Sequence, residues 1–376
     1  MSSAYATPDL DLLPSDVEHD LRKTVRDLLA ARCAPDAVTR MYDGDREVAE
    51  TLWRALAVEV GLAGLLVPED LGGVGASAVD AAAVLEELGR AAAPVPFLTS
   101  SLVATTALLA CAADERAREA IAALAAGERT AALVVPLSTA PDGRLPDVRA
   151  TNGLLTGTVR SVAGVVDADL LVVPAETADG VGLYLVEPTS ATVDPVVSLD
   201  MGRQVADVTL DGTPGELILA DSEAAVRSAL LAGAGLLASE QVGIARWCLD
   251  ETVAYLKVRK QFGRVVGGFQ AIKHRLADLY AEVESASATA RYAAAALAAG
   301  EDVPIAARVA AAYCSEIAVH AAEEAVQLHG GIGMTWEHPA HLYLKKAKAD
   351  QIAFGTAGAH RAALAGLLDL ELGEAQ

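Results

Sequence analysis

Lys257, Arg259, Lys260, Arg264, Lys273 and Arg275 crowd one stretch, KVRKQFGRVVGGFQAIKHR, that contains no acidic residue. The whole chain of 376 residues carries a formal net charge of -22, so this positive island runs against its surroundings. Guanidinium forks match phosphate oxygens, and glycine lets backbone N–H groups approach a ligand, so the stretch suits a diphosphate. A basic helix end that complements the helix dipole has the same composition. A second stretch, QLHGGIGMTWE from Gln327 to Glu337, is a glycine cluster after a helix. Such a cluster either caps the helix or lets backbone touch a cofactor closely.

Two further patterns lead away from chemistry. Gly233-Ala234-Gly235-Leu236-Leu237-Ala238 spells a dinucleotide-type GxGxxA, but it lies inside an alanine-rich apolar helix. The real motif needs a strand before it and an acid about 20 residues later, so close helix packing is the better account. His329, His338 and His341 belong to no HExxH, and Pro339 stands between two of them. They read as helix-end residues, and no metal is expected.

The elements that must hold these segments fall in three blocks of an α+β chain. Residues 1–128 read as an N-terminal helical domain, with helices at 15–33, 48–60 and 79–90 and two more reaching about residue 126. Ser15 can cap the first. Residues 129–220 show short β-branched runs broken by Gly, Pro, Asp and Asn, at 132–135, 154–159, 170–173, 182–186 and 205–210, which predicts a middle antiparallel β domain. Residues 221–376 return to long alanine-rich helices at 222–259, 271–299, 305–329 and 338–370, which predicts a C-terminal four-helix bundle.

Composition narrows the class. Hydrophobic residues make up 53% of the chain, enough for sizeable cores, and the alanine excess favours helix. The negative field repels nucleic acid and anionic membrane surfaces. Cys33, Cys111, Cys248 and Cys314 are widely spaced and form no CxxC, so reduced thiols in a cytoplasmic setting are expected. The start, MSSAYATPDLDLLPSD, has no basic and no apolar signal-peptide region. The uncharged run 91–113 is broken by Pro94 and Pro96 and carries hydroxyls, so a buried helix is expected there rather than a membrane span.

Taken in order, four segments resemble the acyl-CoA dehydrogenase family. They are Val67-Pro68-Glu69-Asp70 with Gly72-Gly73, then Leu85-Glu86-Glu87-Leu88-Gly89-Arg90, then Tyr255 to Gly263 with Phe269-Gln270-Ala271, then QLHGGIG. The resemblance covers nearly the whole chain. It implies α,β-dehydrogenation of an acyl-CoA thioester by FAD held between subunits, with an electron-accepting flavoprotein as redox partner. Carried over, Arg259, Gln261, Phe262, Phe269, Gln270, Gln327, Leu328, Gly330 and Gly331 reach a neighbouring subunit's flavin diphosphate and adenosine, and Thr356 also touches the cofactor.

The chain departs from that family at the flavin-ring side. Where the family has a catalytic glutamate before Gly-Thr, this sequence has Phe354-Gly355-Thr356. A phenyl ring cannot accept a proton. Some relatives place the base on the first bundle helix, near Gly233 here; the nearest carboxylates are Glu223 and Glu240. Glu240 lies about two turns from Gly233, on roughly the same face. It is either the base or, more in keeping with helix carboxylates generally, an ion-pair partner. The family's Thr-Glu-Pro on the first middle strand is Val134-Val135-Pro136, and the glycine-serine-aspartate that follows is absent.

The chain therefore reads as the cofactor-completing subunit of a heteromeric enzyme, similar to bacterial steroid side-chain dehydrogenases, with a paralogous subunit supplying base and ring pocket. The alternatives are a self-sufficient homo-oligomer using Glu240, another flavin oxidation on the same fold, or a structural subunit without flavin.

Overall fold

The computed structural model of the chain describes residues 10–368. Residues 1–9 of the stretch weighed for a signal peptide, and 369–370 of the last expected helix, lie outside that range. The N-terminal part holds α1 (Asp16–Arg32), α2 (Pro35–Arg40), α3 (Glu47–Arg54), α4 (Ala78–Arg90), α5 (Thr105–Leu109) and α6 (Glu115–Ala125). A wider coil, Phe97–Ala104, runs straight into α5 and is buried throughout. Two helices start on capping boxes. Ser15 Oγ accepts from Glu18 N–H and the Glu18 carboxylate accepts from Ser15 N–H; at α4, Ser77 Oγ accepts from Val79 N–H and the Asp80 carboxylate accepts from Ser77 N–H.

The middle part is an eight-stranded sheet: β1 (Ala131–Leu133), β2 (Arg149–Thr151), β3 (Leu154–Ala163), β4 (Leu170–Thr177), β5 (Gly180–Val186), β6 (Thr192–Val196), β7 (Val205–Pro214) and β8 (Glu216–Leu219). Its order is β6-β7-β3-β2-β4-β5-β8, with β1 beside β4. The ladders are antiparallel except β1 and β2 against β4, which run parallel. The five expected runs each fall on a strand. β2, β6 and β8 were not foreseen, being short and mostly exposed, without the apolar run that marks the others. Pro195 sits on the edge strand β6, where its missing N–H leaves no central ladder broken.

The C-terminal part is a bundle of α7 (Glu223–Val258), α8 (Gln270–Ala299) and α9 (Val303–His329), closed by α10 (Ala340–Asp350) and α11 (Ala357–Leu367). The hairpin β9 (Lys260–Gln261) and β10 (Arg264–Val265) joins α7 to α8. The expected single helix over 338–370 is two. Phe354 (φ +55°) and Gly355 (φ +107°) take left-handed backbone angles that no α-helix contains, and they break it.

Gly89 and Gly243 explain how the N-terminal helices meet the bundle. A Cβ on Gly89 would lie 2.0 Å from the Glu240 carbonyl oxygen, and one on Gly243 would lie 2.0 Å from that of Glu86. Backbone therefore touches backbone where α4 crosses α7, which only glycine permits. Gly233 and Gly235, the dinucleotide look-alike, are likewise packing positions: a Cβ on Gly235 would meet Ala307 on α9 at 3.0 Å. One large apolar core unites both helical parts with one face of the sheet, through Leu133, Leu170, Val172 and Leu183, and a smaller one fills the sheet's other side. α7 is long and apolar enough to cross a bilayer, but 83% of its most apolar window is buried inside the fold.

Candidate functional site

α7 carries the two candidate regions at opposite ends. Phe354 packs against Gly233 near its start, and Arg259 caps its finish. The two positions are separated by about 39 Å along the helix, at 1.5 Å per residue.

At the first end the space is closed. The Phe354 N–H donates to the Leu137 carbonyl at 2.7 Å. Its ring is 4% exposed and lies so near α7 that a Cβ on Gly233 would come within 3.1 Å of it and 2.8 Å of Val103. The cavity left among Thr99, Val103, Leu133, Val135, Leu137, Ala163 and Phe354 measures about 20 Å³. Small-molecule pockets are usually about 300–1,000 Å³. Val135 lines this remnant and Val134 points into the sheet core, so neither offers a polar group. Thr356, next to Phe354, N-caps α11 by accepting from Ala359 N–H.

Glu240 stands further along α7, 2% exposed, in a buried charge cluster. Its carboxylate is bonded by Arg203 Nη2 at 2.5 Å and by Lys346 Nζ at 2.6 Å. Arg203 also binds Asp350, and Lys346 lies 3.7 Å from Asp200. Burial alone would raise the Glu240 carboxyl, but Arg203 and Lys346 outweigh it and hold it below its ordinary range. Asp350 goes the other way: burial, only partly offset by the two cations, pushes it up to about 6. Of the two roles the sequence left for Glu240, its surroundings match the ion-pair partner. A carboxylate pinned by two cations is a weak base. The cluster joins the loop before β7 to α7 and α10. Sequence reading missed Arg203, Lys346 and Asp350; the i,i+4 spacing of Lys346 and Asp350 on an otherwise apolar helix face was the available signal.

At the other end the fold gathers the remaining predicted residues. Antiparallel packing brings the end of α7, the start of α8 and the end of α9 together. Arg259 caps α7, Gln261 lies on β9, and Phe262 tops the hairpin with φ +53° and 91% exposure. Phe269 and Gln270 begin α8, and the Arg264 guanidinium lies 3.7 Å from the centre of the Phe269 ring. Gln327 and Leu328 end α9, followed by Gly330 and Gly331 in a 3₁₀ turn, Gly330–Met334. Both glycines are exposed, and a Cβ on either would meet nothing within 4 Å. Arg275 pairs with Glu324, whereas Lys257, Arg259, Lys260 and Lys273 are exposed and make no ion pair among the described residues. The fold thus brings together nine of the ten predicted cofactor residues and leaves Thr356 at the closed end.

Comparison with known proteins accounts for this layout. Residues 15–128 match the family model "Acyl-CoA dehydrogenase, N-terminal domain", and residues 224–367 match "Acyl-CoA dehydrogenase, C-terminal domain". Acyl-CoA dehydrogenase IpdE2 of Mycobacterium tuberculosis is 38% identical over 338 residues, 89% of this chain and 92% of that protein. Acyl-CoA dehydrogenase FadE34 of the same organism is 36% identical over 335 residues, 87% of this chain but 44% of that longer protein. Among solved structures, a chain of the ChsE4-ChsE5 complex from Mycobacterium tuberculosis superposes with TM-score 0.84 at 28% identity, covering 98% of this chain and all of that one. On these matches the chain belongs to the acyl-CoA dehydrogenase family, whose members are FAD-dependent oxidoreductases acting on CH–CH bonds.

Proposed function

We propose that this chain is the cofactor-completing subunit of a two-component acyl-CoA dehydrogenase. The observation that carries the reading is the cavity of about 20 Å³ where Phe354 fills the flavin-ring side. Neither a fused ring system nor a thioester fits there, and no carboxylate faces it.

The open end fits a different part of the cofactor. Arg259, with Lys257 and Lys260 nearby, supplies charge-assisted donors for a diphosphate. Gly330 and Gly331 leave backbone uncovered, and Gln261, Gln270 and Gln327 offer amides. Phe262 and Phe269 give flat apolar surface, and Leu328 backs the glycine turn. FAD, when bound, would supply the hydride acceptor for α,β-dehydrogenation of an acyl-CoA thioester; these residues would hold and neutralise its diphosphate end. About 39 Å of helix divides Gly233 from Arg259, more than one extended dinucleotide spans, so the open end serves a flavin whose ring lies in another chain. The closed end makes a second copy of this chain a poor ring donor, which favours a paralogue that keeps base and pocket. A separate flavoprotein would serve such an assembly as electron acceptor.

Two relatives support the pairing. ChsE4-ChsE5 is a complex of two named components. The region matched in FadE34 is under half of that protein, which leaves room for a second unit of similar size in one chain.

The test is expression alone against co-expression with a neighbouring paralogue. The expected outcome is a colourless chain alone and a yellow, active assembly with the partner. A yellow chain that dehydrogenates acyl-CoA by itself overturns the proposal.

A further inference from the structure

We infer that Glu251, His329 and His338 form a binding site for a divalent ion of the zinc class. Glu251 sits two turns before the end of α7, His329 ends α9, and His338 follows the Gly330–Met334 turn. One ligand atom from each lies within 4.8 Å of the other two. Chain spacing hides this trio, because its carboxylate comes from another helix.

His329 is the fixed point. It is 3% exposed, and its Nδ1 lies 2.7 Å from the Ala325 carbonyl oxygen. A carbonyl only accepts, so Nδ1 carries the proton and Nε2 presents a bare lone pair. That Nε2 is buried and has no hydrogen-bond partner among the described residues. Buried polar atoms seldom go unpartnered, and a cation would satisfy this one. Tyr255 stacks on the ring at 4.5 Å between centroids and holds its plane. Orientation of one imidazole nitrogen by a carbonyl on the other is the usual support for a metal-bound histidine.

The other two ligands are half-buried and can adjust. The His338 ring lies 4.2 Å from that of His329. Its Nδ1 accepts from Ala340 N–H at 3.2 Å, so ligation through Nε2 moves the ring proton to Nδ1 and gives up that one long bond. Nitrogens on one tetrahedral zinc lie about 3.3 Å apart, given metal–nitrogen distances of about 2.0–2.1 Å. Glu251 and His338 must therefore close in on His329 by side-chain rotation. Two imidazoles and a carboxylate suit zinc, cobalt or nickel, whereas calcium and magnesium prefer all-oxygen shells. A bound ion would tie the end of α7 to the turn that carries Gly330 and Gly331.

The inference does not depend on the partner proposal, and its test reads no flavin. Untagged, chelator-treated full-length chain is titrated with Co²⁺ and followed by visible absorption, then by Zn²⁺ competition. The expected result is saturation at one equivalent, with d–d bands that Zn²⁺ abolishes. Glu251→Gln and His338→Ala, each shown folded by circular dichroism, should weaken binding by at least about tenfold, the cost of disturbing even a ligand's supporting partner. His341→Ala should leave it unchanged. Absence of saturable bands, equal binding by both variants, or an intense near-ultraviolet thiolate band marking a cysteine as ligand would overturn the site.

Discussion

The two ends of α7 are built in opposite ways. Around Gly233 every gap is filled: Phe354, Val103 and Val135 leave about 20 Å³. Around Arg259 side chains stand clear of the fold: Phe262 is 91% exposed, and Lys257, Arg259, Lys260, Arg264 and Lys273 make no ion pair among the described residues. A core optimised for its own stability looks like the first end. A surface that exposes a phenyl ring and unpaired charge makes sense when something else covers it. On the proposed reading, a catalytic group can be given up at one end of α7 while a binding role is kept at the other.

The largest effect expected from breaking this contrast is at Glu240. Glu240→Gln leaves Arg203 and Lys346 buried beside a neutral amide, and removing one partner of a buried pair costs about 3–5 kcal/mol. Urea unfolding should report that loss, while turnover of the folded assembly stays at the unmodified level; a collapse of turnover with stability retained would restore Glu240 as a base. Next, Phe354→Ala should cost about 3 kcal/mol by opening a cavity, with FAD content of the assembly unchanged. Flavin loss on that substitution would mean that the closed end still contributes to the cofactor site. Arg259→Ala should reverse the pattern, with chain stability nearly unchanged and FAD held about 10–100-fold less tightly in the assembly, as expected for charge-assisted bonds worth about 1.5–3 kcal/mol. Equilibrium dialysis measures it.

Phe262→Ser should shift the stability of the isolated chain by less than about 0.5 kcal/mol, because the ring touches little, yet weaken association with the partner in analytical ultracentrifugation. Asp350 sharpens the comparison through pH. Its carboxyl keeps a proton to about pH 6 in the fold but only to about 3.8 when unfolded, so the folded state binds more protons in that window. This group therefore stabilises the fold below about pH 4 and loses that contribution as pH rises through 6. Between pH 7.5 and 5, the wild type should gain thermal stability relative to Asp350→Asn. Parallel melting curves for the two proteins would show that Asp350 is already ionised at pH 5.

Much of the fold was legible because it is local. Ser15 and the 3.6-residue apolar spacing marked helices to within a residue or two, and β-branched runs marked the five best-buried strands. The open end was legible for the same reason: its cations and glycines are consecutive. What stayed hidden is tertiary. Near 351–356 only Gly355 and the N-cap Thr356 announce a helix break, and Phe354 is an unusual residue for a left-handed backbone angle. The partners of Glu240 come from a β-loop and another helix. Glu251 meets His329 and His338 only after the bundle folds. The Gly89 of the LEELGR segment was visible as a motif, but its purpose appears only against the backbone of α7.

That crossing also decides which parts can move. With carbonyl oxygens of each helix seated in the glycine notch of the other, α4 and α7 can neither slide nor roll without collision. The N-terminal helices and the bundle are therefore held in register at this crossing. The sheet is tied to this locked pair by the shared apolar core, through Leu133, Val135, Leu170 and Leu183, and by the Arg203 cluster.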